Sequence, residues 1–481
     1  MTSTEDTPLV TSTQQPAKER PLATILGAVA AVALTGLLFY NVSQPLPTDT
    51  HRHNATTAIM DDGSYYCDPA AHEFGYVKLP HKTNGHYFYS FFESRSNPET
   101  DPLVLWLEGG PGSSSTWAMF NVNGPCTIRD DLNGTVYNPN SWTNNANVIW
   151  LDQPIGVGFS YGDAADDDSD EVDVGRNVYA FLQGWLKNHS KFQSHQLFIA
   201  GQSYGGHYVP AAANYIVNQQ KKPLANDTLR INLAGIAIGN GCTDTVVQLP
   251  GVVDMVESIR DEYNITLVTP DELKQMKQDA AVLAGIVQAC QDPAQSQACL
   301  AITPALGKVL VPLITNPTRS PYDVRVVCTG PTCADEGMIK TEAYLNLNTT
   351  QSLLGVNKTF RWNNATVNRE FAVDSGKSAV HFVPDILAAN VRVLLFAGDT
   401  DLVCDWKGND AWAKKLQWSG HDAYNAASVA PLQVDGQNAG EVRSAAGLTF
   451  VRVFNSGHTV PVDQPRVGLA IINSFFQNTT L

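Results

Sequence analysis

The chain has 481 residues and a net charge of −16, with 47 acidic side chains against 31 basic ones. That balance argues against nucleic acid as a partner, because phosphate binding needs a basic face. With 43% apolar residues the chain can bury a sizeable core, and its acidity suits a compartment where many carboxylates are partly protonated.

Residues 22–42 carry no charged side chain, which is long enough for one membrane-spanning helix of about 20 residues. Lys18 and Arg20 precede this run, and no Lys or Arg follows until Arg52. The positive-inside tendency predicts a cytoplasmic tail over 1–20, a transmembrane signal anchor over 21–42, a polar linker over 43–63 and a lumenal or extracellular domain over 64–481. Secretion after signal cleavage is the alternative. Against it stand the long polar leader with Glu5 and Asp6 and the lack of a convincing small-x-small site after the apolar run. The stretch Glu5-Asp6-Thr7-Pro8-Leu9-Val10 faintly resembles an acidic-leucine sorting signal for lysosomal or vacuolar delivery.

Two further signals agree with export. Sequons of the form N-x-S/T begin at Asn41, Asn54, Asn133, Asn188, Asn226, Asn264, Asn348, Asn357, Asn364 and Asn478, all beyond the start of the apolar run. The eight cysteines are an even number in a chain expected to face an oxidising lumen. Cys328 with Cys333, and Cys290 with Cys299, are close enough to close small loops; Cys67, Cys126, Cys242 and Cys404 cannot be paired from sequence.

Along the exported part, 74–79 and 86–94 read as a strand pair around the turn signal Asn84-Gly85. The short apolar runs 103–107, 148–151, 197–200, 233–238 and 391–396 follow, separated by helical stretches. This pattern predicts an α/β fold with a mostly parallel sheet covered on both faces. The acidic run 163–173 reads as a solvated loop or helix face and not as a metal site. Between about 243 and 378 the strand signals fade, sequons and cysteines cluster, and a helix is expected over 271–287. We read this as an insertion over the sheet, a lid shaping a pocket; a glycosylated decoration with no chemical role is the alternative.

The segment Gly201-Gln202-Ser203-Tyr204-Gly205 reads G-x-S-x-G, after an apolar strand and before a helix-compatible stretch. That context lifts a serine above a sheet edge as a nucleophile, with glycines where larger side chains would clash. A serine needs a base, and the base an orienting acid, in the chain order Ser, Asp or Glu, His. One later strand ends in Gly398-Asp399-Thr400-Asp401 and another, 450–454, in Asn455-Ser456-Gly457-His458. Spacing leaves Asp399 and Asp401 equal as the acid. His458 has few rivals, since His381 precedes the acid and His421 lies in a polar stretch.

Six blocks in order now carry a resemblance. They are Leu105-Trp106-Leu107-Glu108-Gly109-Gly110-Pro111-Gly112-Ser113-Ser114-Ser115, Gln153-Pro154-Ile155-Gly156-Val157-Gly158-Phe159-Ser160-Tyr161, the stretch 201–210, Ile238-Gly239-Asn240-Gly241, Ala397-Gly398-Asp399-Thr400-Asp401, and Gly457-His458-Thr459-Val460-Pro461. From about Asp68 onward the chain resembles the serine carboxypeptidase family of α/β-hydrolases. The resemblance implies Ser203 as nucleophile, His458 as general base and acid, Asp401 as the orienting carboxylate, and the backbone N–H groups of Gly110 and Tyr204 as an oxyanion hole. It implies no cofactor and no metal, and peptides with a free C-terminus as substrates.

The departures bear on substrate. Family carboxypeptidases hold the substrate carboxylate with an Asn, a Gly and two Glu side chains; the matching positions here are Glu108, Gly109, Val122 and Gln202, with Trp106 beside them. An ionised Glu108 repels a carboxylate, whereas a neutral one can bind it together with Gln202, so peptidase activity is expected at acid pH. Ser113 stands where the family signature has cysteine, which removes one family disulfide, and Asp405 where asparagine often follows the cysteine. The reading is therefore a carboxypeptidase working through an acyl-enzyme. Acyl transfer to an alcohol and a non-catalytic binding protein are the rival readings, and oligomeric state stays open.

Overall fold

The computed structural model describes residues 66–315, 317–329, 333 and 336–481. The predicted tail, anchor and linker, with Asn41 and Asn54, lie outside the described residues.

Twelve strands are described: β1 (His72–Lys78), β2 (His86–Phe92), β3 (Leu103–Leu107), β4 (Cys126–Ile128), β5 (Thr135–Tyr137), β6 (Asn147–Leu151), β7 (Leu197–Ser203), β8 (Leu233–Gly241), β9 (Arg392–Gly398), β10 (Ala430–Val434), β11 (Gln437–Ala445) and β12 (Leu448–Val453). Ten of them form one sheet in the order β1-β2-β6-β3-β7-β8-β9-β12-β11-β10, and β4 pairs with β5. The six central strands, β6 to β12 in that order, run parallel. The antiparallel pairs β1–β2 and β10–β11 sit at the edges.

Every residue of β3 and β6 is buried, as expected of strands covered on both faces. The pleat sends Leu105, Ile199, Ile236 and Leu395 to one face. There they meet Phe181 and Trp185 of α1 (Glu171–Asn188) and Val209 and Ile216 of α2 (Gly205–Gln220). Trp106, Trp150, Phe198 and Phe396 go to the other face, against Ile471 and Phe475 of the C-terminal helix Pro465–Gln477. Each such side chain stabilises the fold by about 1.5–3 kcal/mol on burial. The fold is that of an α/β-hydrolase.

Between β8 and β9 the chain is mainly helical, and its helices bury a cluster of their own, with Met276, Leu283, Val309 and Leu313 around Leu402. The helix expected over 271–287 spans Pro270–Cys290, opened by Thr269 and Glu272, which cap each other's backbone N–H groups. In the same segment Pro293–Ile314 is long and apolar enough to cross a membrane by length and composition alone. Its buried Cys299, Ile302, Val309 and Leu313 pack into that cluster.

The acidic run 163–173 is a loop and helix start that is only partly solvated, with Asp166, Asp168 and Glu171 buried. Asp166 accepts the backbone N–H groups of Thr83 and Asn84, and Asp168 pairs with Lys82 at 2.7 Å. Asp170 caps α1 by accepting from Val172 and Asp173. The run is acidic because it must satisfy the donors of the β1–β2 turn and of a helix N-terminus. The cysteines pair as Cys67–Cys126, Cys242–Cys404, Cys290–Cys299 and Cys328–Cys333.

Candidate active site

Ser203 is the last residue of β7, and α2 begins at Gly205. Ser203 has φ 58°, a left-handed backbone that a serine adopts only where its surroundings impose it. The flanking glycines answer to the neighbouring strand and not to the turn itself. A Cβ on Gly201 would lie 2.3 Å from the Leu107 carbonyl oxygen of β3, and one on Gly205 3.0 Å from the same atom.

β7, β8, β9 and β12 are consecutive in the sheet, so their carboxyl ends bring Ser203, Asn240, Asp401 and His458 to one edge. His458 Nδ1 hydrogen-bonds Asp401 Oδ2 at 2.7 Å, and both residues are buried. The same carboxylate accepts Asn240 Nδ2 at 3.0 Å and the N–H groups of Val403 and Cys404 at 2.9 and 3.2 Å. Asn240 Oδ1 in turn accepts the Gly398 N–H, so one amide orients the acid and anchors the strand that carries it. Burial lowers the His458 pKa, but the charge and hydrogen bond of Asp401, aided by Glu108, outweigh it and leave His458 above its ordinary value.

Asp399 points into a different network. It accepts the Tyr263 hydroxyl at 2.7 Å and lies 3.3 Å from Arg452 Nη2, which also pairs with Glu262. The ambiguity between Asp399 and Asp401 thus has a geometric answer: only Asp401 reaches the histidine.

The glycine-rich loop after β3 packs against the turn. A Cβ on Gly109 would lie 2.5 Å from the Tyr204 nitrogen and 2.8 Å from Ser203 Cβ. Gly110 has φ 118°, and a Cβ there would meet the Gly112 and Ser113 nitrogens at 2.6 and 2.7 Å. Glu108 is buried beside them. Trp106 Nε1 donates to its Oε2 and Gln202 Nε2 to its Oε1, both at 3.1 Å. Burial pushes the Glu108 carboxyl up to about 7 despite these bonds. Trp106, Glu108, Gly109 and Gln202 therefore meet next to Ser203, whereas Val122 ends the helix Ser115–Asn121 inside the apolar core.

Two residues of this site carry no sequence assignment of a role. Asn240 stands in a recognised block without one. Tyr322, in the segment between β8 and β9, accepts the His458 N–H at 2.7 Å and packs its ring 5.0 Å from the imidazole. Its neighbours clamp the acid loop: Val324 N–H donates to Thr400, Leu402 N–H to Pro321, and Thr400 Oγ1 to Asp323. Nothing in the spacing of 321–324 marks it. No group of three or more His, Cys, Asp or Glu suited to hold a metal occurs among the described residues.

The family model described as serine carboxypeptidase matches residues 66–478, nearly all of the described chain. The chain belongs to the serine carboxypeptidase family. The chain is 34% identical over 419 residues to a serine carboxypeptidase-like protein of Oryza sativa subsp. japonica, covering 86% of this chain and 95% of that one. It is 37% identical over 391 residues to carboxypeptidase Y of Candida albicans, covering 81% and 70%. The crystal structure of Kex1(Δ)p, a prohormone-processing carboxypeptidase from Saccharomyces cerevisiae, superposes with a TM-score of 0.74 at 22% identity, over 86% of this chain and 93% of that one, and shows the shared fold. The enzyme is a serine-type carboxypeptidase.

Proposed function

We propose that Ser203, His458 and Asp401 are the catalytic triad and that Glu108 with Gln202 receives the substrate's terminal carboxylate. The observation that carries this reading is the Glu108–Gln202 pair, buried beside Ser203 where the end of a peptide would lie. His458 takes the proton as Ser203 Oγ attacks the carbonyl carbon of the last peptide bond. The Gly110 and Tyr204 N–H groups receive the oxyanion. His458 then gives its proton to the departing amine, and the terminal residue leaves. Water, deprotonated by His458, opens the acyl-enzyme and frees the shortened peptide.

Neutral Glu108 donates its O–H to the substrate carboxylate while Gln202 offers an N–H. The reaction is accordingly assigned to acid pH. Valine at 122 removes one family acid, which favours acyl transfer to an alcohol as the second reading. A blocked dipeptide with a free C-terminus, the same peptide amidated, and an acyl donor with an alcohol acceptor separate the two. Preference for the free carboxylate supports the peptidase; ester formation with no peptide cleavage would overturn it.

The segment 243–378 is proposed as a cap, and the leader as a single anchor holding the catalytic domain in a lumen. Asn133, Asn188, Asn226, Asn264, Asn348, Asn357 and Asn478 are all exposed, which supports glycosylation at each. Protease protection of the full chain in microsomes tests the topology.

A further inference from the structure

The remaining sequon among the described residues, Asn364, differs from these seven. It is half-buried, and both ends of its side-chain amide are engaged. Its Oδ1 accepts the Thr366 N–H at 2.9 Å, which fixes the orientation of the amide. Its Nδ2 consequently faces the Gly156 carbonyl and donates to it at 3.0 Å. Gly156 is packed so close that a Cβ there would lie 3.0 Å from Nδ2.

The backbone of the same residue holds the glycine-rich loop. Asn364 N–H donates to the Gly112 carbonyl at 2.9 Å, and Ser114 N–H donates to Trp362 at 2.8 Å. Asn363 Nδ2 adds a bond to Ser113 Oγ at 3.0 Å, and Asn363 and Asn368 reach the Pro111 carbonyl at 3.4 and 3.5 Å. The loop 110–114 is glycine-rich and has two left-handed residues, so it has little rigidity of its own. Its shape is imposed across this joint, at the position where Ser113 replaces the cysteine of the family signature.

We propose that Asn364 is a positioning residue for the oxyanion loop and that the active enzyme carries its side-chain amide unglycosylated. A sugar replaces one of the two N–H bonds of Nδ2, on an atom already packed against Gly156. Glycan addition precedes folding, so a chain modified at Asn364 cannot close the joint and leaves Gly110 displaced. The sequon is read here as an accident of two structural needs: an asparagine bridging Gly156 and a helix start, and a threonine two residues on. The inference rests on Gly110 being an oxyanion donor.

The test uses the exported enzyme made in a glycosylating host. Molecules that react with a biotinylated fluorophosphonate are captured, which selects a working Ser203 without reference to any peptide substrate, and occupancy at every sequon is mapped by mass spectrometry after enzymatic deglycosylation in heavy-oxygen water. Asn364 is expected bare in the captured fraction. Asn364→Ala and Asn364→Asp should lower kcat by about ten-fold or more with KM held within about two-fold, because the loss is felt as oxyanion contacts form. Asp keeps the Thr366 contact but turns the donation to Gly156 into an oxygen–oxygen repulsion, so it tests the Gly156 side of the joint alone. Thr366→Ala destroys the sequon, keeps the asparagine, and should leave kcat unchanged. A glycan on Asn364 in the captured fraction, or wild-type kcat in Asn364→Ala, overturns the proposal. If the alanine variant does not fold, the occupancy map decides. Failure to cleave peptides with fluorophosphonate labelling intact would instead count against the peptidase reading.

Discussion

Gln202 donates its side-chain amide to Glu108 Oε1 at 3.1 Å, so the proposed carboxylate site pairs an acid with an amide. With its pKa at about 7, Glu108 is neutral in acid and anionic above neutrality. For peptides with a free C-terminus, KM should rise as pH passes through neutrality, while amidated peptides or simple esters show no such limb. Glu108→Gln should flatten it. The check is KM against pH between about 5 and 8 for wild type and variant. A flat wild-type curve would falsify the assignment of Glu108 as the acceptor.

Stability should follow the same direction. Burial raises the carboxyls of Glu108 and Asp405 to about 7, and those of Glu171, Asp374 and Asp152 above their ordinary range. For a raised acid the folded state holds its proton when the unfolded chain has released it. Its contribution is complete below the unfolded pKa and is lost as pH rises through the folded value. Two buried acids shifted this far correspond to an order of 3 kcal/mol each. The melting temperature should therefore fall by about 5 °C or more between pH 5 and 8, read by calorimetry. A rise over that interval would contradict the burial argument.

Asp399 and Asp401 offer a direct contrast. Asp401→Asn replaces one accepting oxygen by a donor, which disturbs the His458 tautomer, and kcat should fall by about 10⁴-fold. Asp399→Asn leaves the buried Arg452 short of one charged partner, with only the exposed Glu262 and the half-buried Glu441 to replace it. It should lower the melting temperature while kcat stays within about three-fold. Parallel kinetics and melts of the two variants decide; equal kcat losses would mean that the acid is shared.

Gly457→Ala tests the clamp behind the histidine. The added methyl would sit 2.4 Å from the Tyr322 carbonyl oxygen, which is the acceptor of the His458 N–H. Because the clash is with backbone, no rotamer relieves it. We expect about a 100-fold loss of kcat on peptide and ester alike, with the domain still folded by circular dichroism. Retained activity would show that 321–324 can retreat without moving His458.

Much of this was legible in the sequence because the buried parallel strands write themselves as short apolar runs. Runs 103–107, 148–151 and 197–200 coincide with β3, β6 and β7. β10, the edge strand, and its neighbour β11 lack the continuous apolar run of the central strands, because antiparallel strands at the rim need only one apolar face; Glu441, Arg443 and Ser444 along β11 are polar. The turn at Ser203 was readable from its glycines, although the clash they avoid is with the Leu107 carbonyl of β3, far away in sequence. What local sequence could not separate was Asp399 from Asp401. Two residues at one strand end differ only in what the rest of the fold brings to them: Arg452 and Tyr263 for one, Asn240 and His458 for the other. Tyr322 was invisible for the same reason, since it acts through its carbonyl, which every residue has.

The bond between Cys242 and Cys404 has a sequence separation of 162 and closes just after Asn240 and just after Asp401. The whole helical segment between β8 and β9 is thereby a loop hung on one covalent ring. A single cut anywhere inside it yields two polypeptides, one bearing Ser203 and the other Asp401 and His458, that remain tied at the edge where these residues meet. The enzyme is built so that this helical segment can be severed once without the two halves coming apart.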